Sequence, residues 1–159
     1  MSKDALKIVE ELPTSDAAIA CLSQYYGELS ERFAQGFEVE LSCDPQAVDM
    51  MRPRGVFLLV YDDVQPIGCV GVKGTDRGYA EIKRLWVAKA ARGQGVAAAL
   101  MEQAEKIAAE LKISLLRLDT NSALPEASAF YRKHGWHEIE RFNDDPYPDQ
   151  FFEKQVGTG

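Results

Sequence analysis

Apolar positions in the first third of the chain follow the two periods of regular secondary structure. Residues 6–12 alternate loosely between apolar and charged side chains, which predicts a strand. Residues 17–33 place apolar side chains three and four positions apart, which predicts a helix with N-cap residues at 14–16 and a weak point at Gly27. Residues 35–55 lose this periodicity and predict a loop with at most a short helix.

Three further strands are predicted before residue 88. Residues 56–61 are an unbroken apolar run, and a turn joins them to a second strand over 65–72, so these two strands should pair antiparallel. The third strand, over 79–87, alternates regularly only as far as Ile82. A β-bulge after Ile82 would produce this slip, because one extra residue shifts every later side chain to the other face.

The second half of the chain predicts a parallel unit and then a return to antiparallel strands. An amphipathic helix is predicted from residue 93 to residue 111, followed by a strand over 113–118. Strand, helix and strand form a β-α-β unit, whose two strands should run parallel. The remaining predicted elements are a helix over 126–134, stopped by Gly135, and strands over 136–141 and 150–156. We therefore expect an α/β (α+β) fold with a mixed, mostly antiparallel sheet of six or seven strands and about four helices.

Composition and charge narrow the classes of function. The 159 residues are 46% apolar, which suits a single domain over residues 1–159. No apolar run is long enough to cross a bilayer and the first residues lack a signal core, so we expect a cytoplasmic protein without a membrane partner. The net charge of -7 disfavours a nucleic-acid partner. Three cysteines without a Cys-x-x-Cys pair predict neither a disulfide framework nor a zinc site, and no metal is expected.

The segment Arg92-Gly93-Gln94-Gly95-Val96-Ala97 joins a strand to a helix through a glycine-rich turn. Unpaired N–H groups at a helix N-terminus bind anions, and cations cluster around this turn in an otherwise acidic chain. The spacing excludes the P-loop of NTPases. The dinucleotide fingerprint is formally met by Gly93, Gly95 and Ala98, and Asp119 follows the next strand as a candidate ribose ligand. An NAD(P)-dependent oxidoreductase is thus an alternative, although five residues separate the turn from its strand and the earlier strands look antiparallel.

The turn and its surroundings resemble those of the GCN5-related N-acetyltransferases. Their signature Q/R-x-x-G-x-G/A is matched by Arg92, Gly95 and Ala97. The strand over 81–87 and the segment 127–136, ASAFYRKHGW, stand where the family has its fourth strand and its tyrosine-bearing helix. The resemblance implies a central pair of splayed strands and acetyl-CoA as co-substrate. It also implies transfer of the acetyl group to a primary amine by direct attack in a ternary complex.

By this resemblance, the turn and the strand before it form the cofactor site. The turn would hold the CoA diphosphate, and free backbone groups on the strand would pair with the pantetheine arm and the acetyl carbonyl. The implied cofactor-binding residues are Leu85, Val87, Arg92, Gly93, Gln94, Gly95, Val96 and Ala97. Two positions depart from the pattern: Leu124 stands where many relatives have asparagine, and Trp86 replaces a smaller residue beside the acyl site.

The implied catalytic residues are Tyr131 and Glu81. Tyr131 matches the family's helix tyrosine, which donates a proton or a hydrogen bond to the CoA sulfur, and a phenol is protonated at neutral pH as an acid must be. Glu81 would act as general base through water, with Glu38 and Glu40 as rivals. The acceptor is expected to be a small-molecule amine or a peptide, cationic because the loops are acidic, and the family suggests a homodimer. A non-catalytic acyl-CoA-binding regulatory module is the alternative outside the enzymes.

Overall fold

The computed structural model describes residues 6–32 and 48–157. Its strands are β1 (Leu6–Glu10), β2 (Val56–Asp62), β3 (Gln65–Gly74), β4 (Ala80–Val87), β5 (Leu115–Thr120), β6 (His137–Ile139) and β7 (Gln150–Gln155). Its helices are α1 (Asp16–Arg32), α2 (Val96–Glu110) and α3 (Pro125–Lys133), with 3₁₀ turns at Val48–Met50 and Lys89–Ala91. The predicted rival bases Glu38 and Glu40 lie outside the described residues.

Within the described residues, seven strands form one sheet in the order β1-β2-β3-β4-β5-β7-β6. Neighbouring strands are antiparallel except β4 and β5, which are parallel, as the β-α-β unit requires. The parallel pairing is short and joins Ala80–Ile82 to Leu116–Leu118. Beyond Ile82 the two strands are no longer paired, so the sheet opens between them. The predicted mixed, mostly antiparallel sheet with splayed central strands is confirmed.

A β-bulge in β4 lies at the start of this opening. Gly71 of β3 pairs with Lys83, and the next pair is Cys69 with Trp86. Between these pairs β4 has one residue more than β3. Arg84, inside the bulge, has a φ of 59°, in the left-handed region. The bulge predicted after Ile82 is confirmed. The bulge keeps the side chain of Arg84 on the same face of the sheet as that of Lys83. Strict alternation along β4 would instead direct the guanidinium into the core beneath α2.

Helices cover both faces of the sheet. The buried side of α2, including Leu100 and Ile107, packs with Leu58 and Val70 in one core cluster. The opposite face carries Phe57 and is covered by α1. Because both faces are covered, β2 is buried along its apolar run, which explains why its sequence does not alternate.

Helix α1 is continuous through Gly27, so the weak point predicted there does not become a break. The side-chain oxygen of Ser15 accepts a hydrogen bond from the Ala18 N–H at 3.1 Å and caps the N-terminus as expected. Packing of the buried face of α1 on the sheet outweighs the low helix propensity of one exposed glycine.

Several boundaries differ from the sequence prediction, and that of β5 has a clear cause. Strand β5 starts at Leu115 rather than at 113, because the Ile113 N–H still bonds to the Ala108 carbonyl at 2.9 Å and closes the end of α2. The sequence predicts a loop with at most a short helix over residues 35–55. The described part of that segment contains the single 3₁₀ turn Val48–Met50.

Replacing two glycines by alanine, one at a time, should change the free energy of unfolding in opposite directions. A Cβ on Gly55 would lie 1.9 Å from the Val72 carbonyl oxygen, so Gly55→Ala should lower the free energy of unfolding by about 3 kcal/mol. A Cβ on Gly27 meets no atom of the described residues within 4 Å, so Gly27→Ala should raise it by about 0.5–1 kcal/mol. Chemical denaturation measures both, and a destabilised Gly27→Ala would contradict a continuous α1.

Candidate active site

The turn between β4 and α2 holds two glycines in the left-handed conformation. The φ angle is 79° at Gly93 and 82° at Gly95, values that other residues adopt only at a cost. A Cβ built on either meets no atom of the described residues within 4 Å, so the space in front of the turn is open. Helix α2 begins directly afterwards at Val96, and its first N–H groups have no partner within the helix. The turn can therefore present backbone donors to an anion.

This turn forms one wall of a cleft of about 660 Å³, which we call the turn cleft. Its other walls come from α1, the end of β4 and α3. The predicted cofactor residues that line it are Leu85, Val87, Arg92, Gly93, Gly95, Val96 and Ala97. Gln94 is not among the lining residues, and its side-chain amide donates to the Ala90 carbonyl at 3.3 Å. The turn cleft thus connects the glycine turn with the opening between β4 and β5.

A second cavity, of about 130 Å³, lies on the other side of this opening, and we call it the charged cavity. Its charged lining residues are Lys73, Lys83, Arg84, Asp119 and Asp145. The residues that line both cavities are Tyr25, Leu29, Leu85, Leu124, Ala127 and Tyr131. The two cavities therefore meet at a mainly apolar junction that contains the Tyr131 phenol.

Tyr131 is held at this junction by the end of α3. Gly135 has a φ of 90°, which lets the Trp136 N–H return to the Tyr131 carbonyl at 3.0 Å and stop the helix. The Tyr131 ring centroid lies 6.1 Å from that of Trp136 and 5.9 Å from that of Phe152. Burial, and secondarily the negative charge of Asp119, raises the pKa of the Tyr131 phenol above its ordinary value. The phenol is therefore a neutral hydrogen-bond donor across the physiological range.

A buried network of Glu81, Lys83, Asp119 and Asn143 lies beside the charged cavity. The Lys83 ammonium is 2.8 Å from an Asp119 oxygen and 3.6 Å from a Glu81 oxygen. The Asn143 amide donates to the same two carboxylates, at 2.7 Å to Asp119 and 3.3 Å to Glu81. Burial acts to lower the pKa of Lys83, but the two carboxylates outweigh it and the pKa is raised, so Lys83 stays charged. Two carboxylates facing one ammonium leave the network with excess negative charge.

Of the two carboxylates in this network, one lines the charged cavity and the other does not. Glu81 is not among the residues that line the charged cavity, and its side chain is 10% exposed. Asp119 does line the cavity. The sequence suggested Asp119 only as a ribose ligand, because 36 residues separate it from Lys83. One sequence signal could have placed Asp119 near Lys83: Asp119 lies near the end of β5, the parallel neighbour of β4.

Arg92 is bound by protein groups in this structure. Its Nε donates to the Val87 carbonyl at 2.8 Å, and a terminal nitrogen lies 2.7 Å from both carboxylate oxygens of Glu28. Glu28 also accepts a hydrogen bond from the Trp86 indole at 2.8 Å. Burial acts to raise the pKa of Glu28, but the bonds from Arg92 and Trp86 outweigh it and hold the pKa below its ordinary value. Arg92 therefore ties α1 to the end of β4, a contact that the sequence did not indicate.

Among the described residues, no group of three or more His, Cys, Asp or Glu side chains is arranged to hold a metal ion. No helix in this part of the chain is both long and apolar enough to span a membrane.

The sheet opens beside a glycine-rich helix N-terminus, and a neutral phenol lies at the opening. Residues 53–138 match the family model described as an acetyltransferase (GNAT) domain. The chain is 30% identical over 157 residues to an IAA acetyltransferase from Azospirillum brasilense, covering 94% of this chain and 97% of that protein. The chain belongs to the GNAT acetyltransferases, a family that carries out acetyl-CoA-dependent acyl transfer.

Solved structures of the family share the fold. A GNAT acetyltransferase from Staphylococcus aureus aligns with a TM-score of 0.81 at 18% identity, covering 95% of this chain and 99% of that one. The PaiA N-acetyltransferase from Thermoplasma acidophilum, solved in complex with coenzyme A, aligns with a TM-score of 0.72 at 20% identity. The alignment covers 98% of this chain and 100% of that one. At these identities the likeness concerns the fold, and it confirms the predicted fold class.

Tyr131 should ionise only in strongly alkaline solution. Its pKa is raised in the folded protein, so above about pH 10 the unfolded chain loses this proton first and folding stability falls as pH rises. Tyr131→Phe should reduce this loss of folding stability at alkaline pH. Thermal melts and phenolate absorbance of both proteins across the alkaline range measure the effect. The same pH dependence in both proteins would contradict a buried, neutral phenol.

Proposed function

We propose that this protein transfers the acetyl group of acetyl-CoA to a primary amine by direct attack while both substrates are bound. The observation that carries this proposal is the meeting of the turn cleft and the charged cavity at Tyr131. A cofactor in the first and an amine in the second would approach the same opening from opposite sides. Direct attack is also favoured because the two cysteines of the described residues, Cys21 and Cys69, are buried and line neither cavity. Neither thiol is placed to carry the acetyl group.

The turn cleft has the features that CoA needs. The backbone N–H groups between Gly93 and Ala97 would hold the diphosphate, with the positive end of the α2 dipole behind them. The free edge of β4 at Leu85 would pair with the amides of the pantetheine arm. The Val87 carbonyl already accepts a bond from Arg92. Arg92 would therefore act chiefly by fixing the end of β4 and, through Glu28, the position of α1.

Tyr131 would stabilise the departing sulfur. Acetyl-CoA supplies an activated thioester whose leaving group is a thiolate. A thiol with an ordinary pKa near 8.5 is a stronger acid than a phenol whose pKa is raised above about 10, so complete proton transfer from Tyr131 is unfavourable. Tyr131 would instead donate a hydrogen bond as negative charge develops, at a junction screened from water.

The network of Glu81, Lys83 and Asp119 would receive the proton of the amine. An amine must be neutral to attack, yet at neutral pH its ordinary pKa near 10 keeps it protonated. Asp119 lines the charged cavity and can contact the ammonium or a water beside it. Glu81 lies behind it and shares the Lys83 ammonium with it. We therefore assign contact with the proton to Asp119 and a supporting part to Glu81.

Tyr131→Phe should lower kcat by about 10²-fold and leave the KM for acetyl-CoA within about twofold, because one hydrogen bond to the developing thiolate is lost. Release of free thiol from acetyl-CoA is measured with a panel of polyamines, amino acids, aminoglycosides and peptides. Tyr79→Phe, which removes a hydroxyl outside both cavities, is the matched control. Absence of thiol release with every acceptor would contradict acetyl transfer. Binding of acetyl-CoA without turnover would instead indicate a regulatory module.

Asp119→Asn should reduce kcat/KM for the amine by about 10²-fold or more, and Glu81→Gln by about tenfold, because Asp119 lines the charged cavity and Glu81 does not. The loss should shrink as pH approaches the pKa of the amine, where the substrate is already neutral. Asp149→Asn, a carboxylate bound to Ser122 and outside both cavities, controls for the change of charge. A larger loss in Glu81→Gln would assign the base to Glu81. Each substitution removes one carboxylate partner of Lys83, and thermal melts show whether each variant stays folded.

A further inference from the structure

We propose that Trp86, held in position by Glu28, limits the length of the acyl group that this protein accepts. The inference rests on the proposed acyl transfer and specifies the thioester that the turn cleft takes. Trp86 lies in β4 between Leu85 and Val87, and all three residues line the turn cleft. The free edge of β4 at Leu85 is where the pantetheine arm would pair. The Trp86 side chain therefore belongs to the wall beside the acyl end of the cofactor.

The ring of Trp86 is fixed by apolar packing on the α1 side of the sheet. Trp86 is 5% exposed, and it belongs to the core cluster that also contains Cys21 of α1 and Phe57 of β2. Protein cores are close-packed, so a large ring in such a cluster moves aside only if its neighbours are displaced. The wall that Trp86 gives to the turn cleft is therefore rigid.

Hydrogen bonds fix the orientation of the same ring. The indole N–H of Trp86 donates to the Glu28 carboxylate at 2.8 Å. That carboxylate lies 2.7 Å from a terminal nitrogen of Arg92, whose Nε donates to the Val87 carbonyl at 2.8 Å. The contacts thus run from β4 through α1 and return to β4 one residue after Trp86. Because a hydrogen bond to a charged carboxylate is stronger than one to a neutral group, the indole has one preferred orientation.

An acyl chain longer than acetyl would meet an obstacle on each side of the junction. Toward α1 it would meet the fixed ring of Trp86. Toward α3 it would meet Tyr131, which is packed against Trp136 and Phe152. Straight ahead it would enter the charged cavity of about 130 Å³, where its methylenes would displace water or the amine from Asp119. Each added methylene should therefore reduce acceptance of the thioester by about tenfold or more.

The first test measures the binding of CoA, acetyl-CoA, propionyl-CoA and butyryl-CoA to the wild-type protein by calorimetry, which needs no acceptor. The Kd of butyryl-CoA should exceed that of acetyl-CoA by about tenfold or more, with propionyl-CoA between them. Equal or tighter binding of butyryl-CoA would overturn the inference and leave the proposed acetyl transfer intact. Binding of none of these compounds would instead overturn the proposed cofactor site, and the inference with it.

The second test removes part of the ring. Trp86→Phe shortens the side chain and deletes its bond to Glu28, so the ratio of the Kd of butyryl-CoA to that of acetyl-CoA should fall by about tenfold. Phe57→Leu reduces another ring of the same core cluster that lines neither cavity, and it should leave the ratio unchanged. An unchanged ratio in Trp86→Phe, or an equal fall in Phe57→Leu, would overturn the assignment to Trp86.

Glu28 is a positioning residue, and Glu28→Ala tests its part. Without the carboxylate the indole is free to turn, so the same ratio should fall, and a general change in affinity for CoA cancels in the ratio. The double variant Trp86→Phe/Glu28→Ala should show no further fall than Trp86→Phe, because both substitutions act through the ring. Additive falls, or no fall in Glu28→Ala, would overturn the role of Glu28. If Trp86→Phe fails to fold, Glu28→Ala and the wild-type comparison still decide the proposal.

Discussion

The site depends on the departure of β4 from β5. The two strands are paired over Ala80–Ile82, and the bulge at Arg84 follows immediately. A fully paired parallel ladder would satisfy every backbone group and leave no entrance between the strands. Because the pairing stops, the end of β4 keeps a free edge, the turn cleft and the charged cavity meet across it, and Tyr131 of α3 occupies the junction. In the proposed mechanism, substrate access and acetyl transfer both depend on this one interruption of the sheet.

The interruption is stabilised by paired charges on both sides. On the side of β5, Lys83 bridges to Asp119 across the point where the strands part. On the side of α1, Arg92 joins the Val87 carbonyl to Glu28. Buried or half-buried charges lower the stability of a protein unless partners and hydrogen bonds compensate them, and each of these groups has such a partner. The same pairs hold the walls of the two cavities in position.

The burial that positions Tyr131 also sets its chemistry. Gly135 ends α3 so that Trp136 folds back onto the tyrosine, and the resulting burial raises the pKa of the phenol. A phenol with a raised pKa is a poor proton donor but a dependable hydrogen-bond donor, since it stays neutral beside the negative charge of Asp119. A neutral donor thus lies at the junction and a carboxylate lies in the adjoining charged cavity, and these are the two groups that the proposed mechanism uses.

The sequence by itself determined the features that depend on neighbouring residues. Periodicity predicted the strands and helices, the slip after Ile82 predicted the bulge, and the motif from Arg92 to Ala97 predicted the turn and its family. Only the tertiary structure decided which distant charges meet. Glu28 contacts Arg92 across 64 residues, and Asp119 contacts Lys83 across 36. No local pattern carries these pairings, because they are set by the order of the strands in the sheet and by the face on which α1 packs.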